Sequence, residues 1–574
     1  MSADKTKEPK VVPPAGYQNA GKMSQRALAV VALAIVLLLI VLLILVATLG
    51  PKPAVTCKIV NQDLAQASPQ IRWDQYPYLV EDQVIVIGPK NEARDIAKSL
   101  NLEPIQECSL NYLAKTSRRG DEQVPGYVFT AAERRNLATN LYAIPAGEDL
   151  DKVVRTINDE GRNLHVFADY NLLLGLPLSV CGSPSYVPIG SPYGTPELLP
   201  VGEAQAVKLF WDQWALQQIG AGPLLKNTLA GAYIKHTGDG TLVGVFDTSP
   251  FPDPWDNSAN NQVTGQIKNS ELVKWVYPTM DMEPLALQVS YPKWEAIQVP
   301  SQKPASDIRD HGLFVAGLVH AVAPSSEIHL IRVLNEYGCG DLFTLKIALD
   351  SFIGEVEAGR GPEADEMPLE GVVINLSLGI AALNPEGNSS LSECSDGTSP
   401  NEIVSLCSVL REAYDKGAVI VAAAGNDHGA THIPAVYSFV IGVQANNSDR
   451  KKAVFSNDGN VSAPGGESDL KCACYKESAQ APDSAAADSQ TPQCQGDCAQ
   501  AIIGPVLFPP KGHAYWPTHY GYWTGTSFST PLVSGQAALL FEAGFTQNET
   551  YQRIKGIGLP PDWDLVINIP NSLK

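Results

Sequence analysis

Four side chains in this sequence stand where a carbonyl group could be attacked and the resulting charge absorbed. Ser527 lies in Gly525-Thr526-Ser527-Phe528-Ser529-Thr530-Pro531. The apolar, alanine-rich run Leu532 to Ala543 that follows predicts a buried helix. Ser527 would then sit at the helix mouth, where unpaired N–H groups and the positive dipole end favour developing negative charge. A nucleophilic serine needs such a place, because its attack creates an oxyanion beside it. The plainer reading is an N-cap serine on a core helix. Asp247 follows the apolar run Leu242-Val243-Gly244-Val245-Phe246, at the carboxyl end of a strand. Alone it would pass for a turn aspartate in Asp-Thr-Ser-Pro. His311 opens the stretch His311-Gly312-Leu313-Phe314-Val315-Ala316-Gly317, whose small residues recur at helical spacing. That helix must approach a neighbour closely. Asn426 ends Ala422-Ala423-Ala424-Gly425-Asn426 just past another strand. It is either a turn asparagine or an N–H donor aimed at an oxyanion.

The order Asp…His…Ser, each at a strand end or a helix start, is one of the chain orders that assemble a serine triad. Six stretches in series carry a resemblance. They are Val243-Gly244-Val245-Phe246-Asp247-Thr248, His311 to Gly317, Val373-Ile374-Asn375-Leu376-Ser377-Leu378-Gly379, Ala423-Ala424-Gly425-Asn426, Phe455-Ser456-Asn457 and the Ser527 heptapeptide. From about Trp214 onward the chain resembles the subtilisin-like serine peptidases, the subtilases. The resemblance implies Ser527 as nucleophile, His311 as general base and then acid, and Asp247 as the group orienting the imidazole. It implies an oxyanion hole from Asn426 and the Ser527 N–H. It also implies a substrate-pairing strand at Ser377, Leu378 and Gly379, forming one wall of the first specificity pocket, with Ala423, Ala424 and Gly425 as the other wall. Two positions depart from the family's habit. Ser249 stands where glycine is usual, and Ser529 where alanine is more frequent; neither removes a chemical group.

Apolar strands alternating with helical segments must position these residues. Strands are predicted at Thr241–Phe246, His329–Val333, Gly371–Leu376, Ala418–Ala424 and Phe439–Gln444, with helices at Gly312–Val322 and Glu402–Lys416. Such alternation gives a mostly parallel sheet covered by helices, with catalytic groups at the strands' carboxyl ends. Upstream, Gln83–Ile87, Asn91–Leu100, Asn140–Ile144, Asp149–Glu160 and Val166–Asn171 read as strand, helix, strand, helix, strand. That is a small open-faced α+β sandwich over residues 80–175, which resembles more loosely an inhibitor-like prodomain. Residues 176–208, dense in Pro, Gly, Ser and Tyr, read as a linker, and 50–79 as a stalk. Ala27 to Leu49 is apolar without a charge. As a helix it would span about 35 Å, enough to cross a bilayer. Lys5, Lys7, Lys10, Lys22 and Arg26 lie on its N-terminal side. Residues 1–26 are therefore expected as a cytoplasmic tail and the bulk of the chain as extracytoplasmic, a single-pass protein of the cell membrane. A cleaved signal peptide is the alternative, though its apolar core is usually shorter. The expected fold class is α/β: a subtilisin-like mostly parallel sheet flanked by helices over 209–574, preceded by the α+β unit and one transmembrane helix.

A formal charge of −20 over 574 residues argues against a nucleic-acid partner, which would need a basic surface. Four of the ten cysteines, Cys472, Cys474, Cys494 and Cys498, fall in a polar insertion at 465–500. One or two disulfides would staple it; a metal site is the rival, although the spacings fit zinc patterns poorly. No cofactor is required for the chemistry, and calcium, frequent in the family, finds no defensible ligand set. Two functions compete. One is a serine endopeptidase acting on protein or peptide substrates, with its own prodomain as intramolecular inhibitor. The other is an inactive subtilase-fold scaffold.

Overall fold

The computed structural model describes residues 55–72, 78–110, 136–175, 196–199, 201–221, 236–250, 287–290, 308–360, 367–380, 403–467, 500–507 and 519–556. The expected membrane span at 27–49 and the cytoplasmic tail lie outside these residues, as do the four cysteines of the 465–500 insertion. Among the described residues no helix is long and apolar enough to cross a membrane.

The N-terminal unit is built from β1 (Val55–Ile59), β2 (Ile71–Arg72), β3 (Leu79–Pro89), β4 (Glu103–Leu110), β5 (Leu137–Ala143) and β6 (Phe167–Gly175), with helices α1 (Gln62–Gln66), α2 (Lys90–Ser99) and α3 (Leu150–Gly161). The strands pair antiparallel in the order β1-β4-β5-β3-β6, with β2 beside β3. Val84, Ile85, Val86 and Ile87 are all buried, so β3 is covered on both faces. Its unbroken apolar run follows from that double burial rather than from a half-exposed sheet. The α2 and α3 helices bury Ile96, Val153, Val154 and Ile157 against it.

Within the range 50–79, expected as a stalk, the described residues 55–72 depart from that reading. Strand β1 joins the sheet edge and Cys57 is disulfide-bonded to Cys108 on β4. The covalent link and the β4 ladder supply what a short, largely exposed strand cannot supply locally. Cys339 and Cys407 each take part in a further disulfide. The 176–208 linker likewise contains β7 (Glu197–Leu198), and a helix, α4 (Glu203–Trp211), begins before residue 209.

Beyond α4 come α5 (Trp214–Ile219), β8 (Leu242–Asp247), β9 (Leu287–Ser290), α6 (His311–Val322), β10 (Glu327–Arg332), β11 (Cys339–Asp341), α7 (Leu342–Arg360), β12 (Val372–Leu376), α8 (Val404–Asp415), β13 (Val419–Ala423), β14 (Ile441–Asn446), β15 (Val461–Pro464), β16 (Ile502–Pro505), β17 (Tyr520–Trp523), α9 (Thr526–Glu542) and α10 (Gln547–Ile554). Seven strands form one parallel sheet in the order β15-β14-β13-β12-β8-β10-β9. Alternate residues of each strand feed two cores. Val243, Val245, Val373, Val419 and Val421 pack with α6 and α9. Phe246, Ile374, Ile420 and Ala422 pack with α7 and α8. The two-residue period of a strand makes this division. The α7–α8 core is continuous with that of the N-terminal sheet. Strand β11 pairs antiparallel with β6, so the two sheets are also joined by backbone.

Candidate active site

Asp247 is the last residue of β8, and His311 the first of α6. The structure brings them together: His311 Nδ1 and Asp247 Oδ1 are 2.7 Å apart, both groups buried. The same oxygen accepts the Thr248 N–H at 2.6 Å. Asp247 Oδ2 is buried with no hydrogen-bond partner among the described residues. Thr248 locks the helix start. Its Oγ1 accepts from Gly312 N at 3.0 Å and donates to Arg309 O at 2.9 Å. The approach needs glycine, since a Cβ on Gly312 would lie 2.1 Å from Thr248 O. A Cβ on Gly317 would likewise run into Pro505 at 2.3 Å. The small-residue spacing of α6 thus reflects two close approaches.

Ser527 stands in the first turn of α9, with Gly525 as N-cap. Pro531 lies inside that helix and has no N–H for the carbonyl four residues back. The Ser527 carbonyl is therefore left to another donor, and Ser377 Oγ donates to it at 2.8 Å. The Ser527 hydroxyl in turn donates to Ser377 O at 3.1 Å. A buried polar chain continues from Ser377: Asn375 Nδ2 donates to its Oγ at 3.0 Å, and Ser534 Oγ donates to Asn375 Oδ1 at 2.9 Å. It ties α9 to the carboxyl end of β12. The His311 ring lies 5.2 Å from the ring of Phe528, the neighbour of Ser527, and 5.3 Å from that of Trp523. The buried imidazole is thus packed against the aromatic neighbour of the serine. No hydrogen bond joins His311 and Ser527; the hydroxyl is turned to Ser377.

Asn426 follows β13. Its Oδ1 accepts from Thr526 N at 2.9 Å and Thr526 Oγ1 at 2.8 Å. Both acceptor directions are used by one neighbour of Ser527, which fixes the amide and leaves Nδ2 as its donor end. Asn457 pins the loop beyond, accepting from Asp427 N at 3.0 Å and Gly429 N at 2.9 Å. Ser377, Leu378 and Gly379 continue past β12. Ala423 closes β13, and Ala424 and Gly425 follow it, Ala424 N donating to Val443 O at 3.0 Å. Ser529, at a place more often held by alanine in the family, donates to Ala463 O at 3.0 Å, so its hydroxyl is satisfied. Among the described residues no group of three or more His, Cys, Asp or Glu could hold a metal.

Sequence reasoning missed Thr248, Thr526 and Asn375, which hold the site residues in place. The first two adjoin Asp247 and Ser527, so adjacency was the available signal. Nothing local marks Asn375, whose role depends on α9 arriving from far along the chain.

The family model for the subtilases matches residues 238–555, more than half of the chain. A thermophilic serine proteinase of Bacillus sp. (strain AK1) is 28% identical over 263 residues, 43% of this chain and 47% of that protein. The subtilisin of Bacillus pumilus is 32% identical over 260 residues, 42% of this chain and 67% of the relative. The minor extracellular protease Epr of Bacillus subtilis (strain 168) is 31% identical over 173 residues, 28% of this chain and 22% of its own length. The chain therefore spans between about a fifth and two thirds of these relatives. With the parallel sheet, the strand-end residues and this family match together, the chain belongs to the subtilase family.

Proposed function

We propose that the protein is a serine endopeptidase acting through Asp247, His311 and Ser527. The observation that carries this is the buried 2.7 Å Asp247–His311 contact at the carboxyl end of β8, in the sheet at whose carboxyl ends Ser527 is hydrogen-bonded to Ser377 and Asn426 to Thr526. In the productive state the Ser527 hydroxyl turns from Ser377 O to the imidazole. Ser527 Oγ bonds to the substrate carbonyl carbon as His311 Nε2 takes its proton. Asn426 Nδ2 and the Ser527 N–H hold the oxyanion. Collapse breaks the C–N bond, and His311 returns the proton to the leaving amine. Water, deprotonated by His311, then releases the acyl group as an acid. Asp247 keeps Nδ1 protonated and stabilises the imidazolium.

The N-terminal unit acts as an intramolecular inhibitor. Three contacts support this. Gly175, at the end of β6, pairs antiparallel with Gly379, the N–H of each donating to the carbonyl of the other at 3.4 and 3.3 Å. That edge is the one a substrate backbone would use. Asp169 and Asn171 on the same strand accept from the N–H groups of Ser405 and Phe343, the second residues of α8 and α7. The resting state is thus latent, with the substrate edge occupied and the nucleophile turned aside. The anchor is the apolar run 27–49, with the catalytic part on the extracytoplasmic side.

The test is a fluorophosphonate probe on the full chain before and after limited proteolysis, with N-terminal sequencing of the product. Ser527 labels after cleavage, and Ser527→Ala does not label. A folded, cleaved protein that stays unlabelled would favour the scaffold reading and end this one.

A further inference from the structure

The two segments read as pocket walls, 377–379 and 423–425, are joined at their base by a third. Ile380 and Ile433 exchange backbone hydrogen bonds at 2.9 Å in both directions, and His432 N donates to Ala424 O at 2.8 Å. His432 is therefore held between the walls by the main chain. Its ring reaches both. A Cβ built on Gly379 would lie 3.0 Å from His432 Cβ and 3.2 Å from Nδ1, and one built on Gly425 would lie 2.3 Å from Asn457 Nδ2 and 2.9 Å from His432 Cδ2. The imidazole thus stands against a glycine of each wall, where a smaller residue would leave room for a substrate side chain.

The ring is fixed rather than mobile. Its side chain is 2% exposed, and Nε2 lies 3.3 Å from Asp427 Oδ2. Burial alone would raise the Asp427 carboxyl; the hydrogen bond and charge of His432, with Asn457, bring it down to about 2, so it stays an anionic partner. His432 Nδ1 is buried with no hydrogen-bond partner among the described residues. A buried polar atom left unpaired is unusual unless something else is to meet it.

We propose that His432 forms the floor of the first specificity pocket and limits cleavage to bonds whose acyl-side residue is short: glycine, alanine or serine. A serine hydroxyl would in addition meet Nδ1. Leucine, phenylalanine and longer side chains are refused because the ring occupies their volume. This rests on the peptidase reading above, and the experiment separates the two failures.

Peptide anilides differing only in the acyl-side residue (Ala, Ser, Leu, Phe) are cleaved by the activated protein and by His432→Gly and His432→Ser. Ratios of kcat/KM between substrates do not depend on how much enzyme folds. The wild type should favour Ala or Ser over Phe by at least about 10-fold, and the variants should shift the Phe-to-Ala ratio upward by about 10–200-fold, the range for small changes in pocket volume. A wild type that favours Phe overturns the proposal, even if neither variant folds. So does an unmoved ratio in variants that still label at Ser527. Absence of any labelling in the activated wild type would instead remove the peptidase reading, and this inference with it.

Discussion

Asp169, on β6 of the N-terminal unit, accepts a 2.6 Å hydrogen bond from the N–H of Ser405, the second residue of α8, across 236 positions of sequence. A carboxylate there satisfies a donor that has no intrahelical acceptor and faces the positive end of the helix dipole. Asn171 Oδ1 does the same for Phe343 N on α7 at 3.2 Å. A charge-assisted hydrogen bond of this kind contributes about 1.5–3 kcal/mol. Asp169→Ala should therefore loosen the N-terminal unit and speed labelling of Ser527 in the uncut full chain by about tenfold or more. Equal labelling rates in the two proteins would show that the contact does not hold the latent state.

Asp247→Asn should cut turnover by about 10⁴, because the amide supports the wrong imidazole tautomer while keeping its shape. Asn426→Ala should cost about 10²–10³ in kcat with little change in KM, since its donor end serves the transition state; that range was established on a subtilisin, a member of the same family. Steady-state kinetics on the activated protein read both. A KM effect without a kcat effect for Asn426→Ala would move that residue from oxyanion stabiliser to ground-state contact.

Gly312→Ala tests the close approach beneath the imidazole. The added methyl would stand 2.1 Å from Thr248 O and 3.0 Å from Asp247 Cβ, so either α6 or the end of β8 must shift. Overpacking of a buried site costs about 1–3 kcal/mol, and here the displacement falls on the Asp247–His311 pair itself. The expected outcome is a folded protein of lower stability with at least about 10²-fold lower kcat. Unchanged kcat would mean that the helix start does not set the imidazole's position.

Legibility in the sequence tracked how locally each element is determined. Strands β8, β12 and β13 were readable because a parallel strand buried on both faces is a nearly continuous apolar run, as in Val419-Ile420-Val421-Ala422-Ala423. Helix α7 escaped notice. Lys346 and Asp350 form an ion pair inside its buried face, and two charged letters at core positions break the apolar pattern. Strand β1 escaped because its partner β4 and its disulfide partner Cys108 are remote in sequence. Asp247, His311, Asn426 and Ser527 each stood at a strand end or helix start, where local pattern suffices. His432 did not: its place depends on Ile433 pairing with Ile380, which no neighbouring letters announce.

His320, in the last turn of α6, gives the fold a definable acid sensitivity. It is buried, and burial pushes its pKa down to about 3 from an ordinary 6.5. The native state therefore keeps the ring neutral at pH values where the unfolded chain protonates it. Below pH 6.5 the unfolded chain gains a proton that the folded one refuses, so stability is full above that value and falls as pH drops toward 3. The slope is about 1.4 kcal/mol per pH unit within the window, or about 2 kcal/mol between pH 7 and pH 5. His320→Leu removes the group and should flatten that part of the profile. Urea unfolding of both proteins at the two pH values measures the double difference, which cancels every titration they share. A wild type and variant that lose the same stability on acidification would mean that His320 is as readily protonated in the fold as outside it.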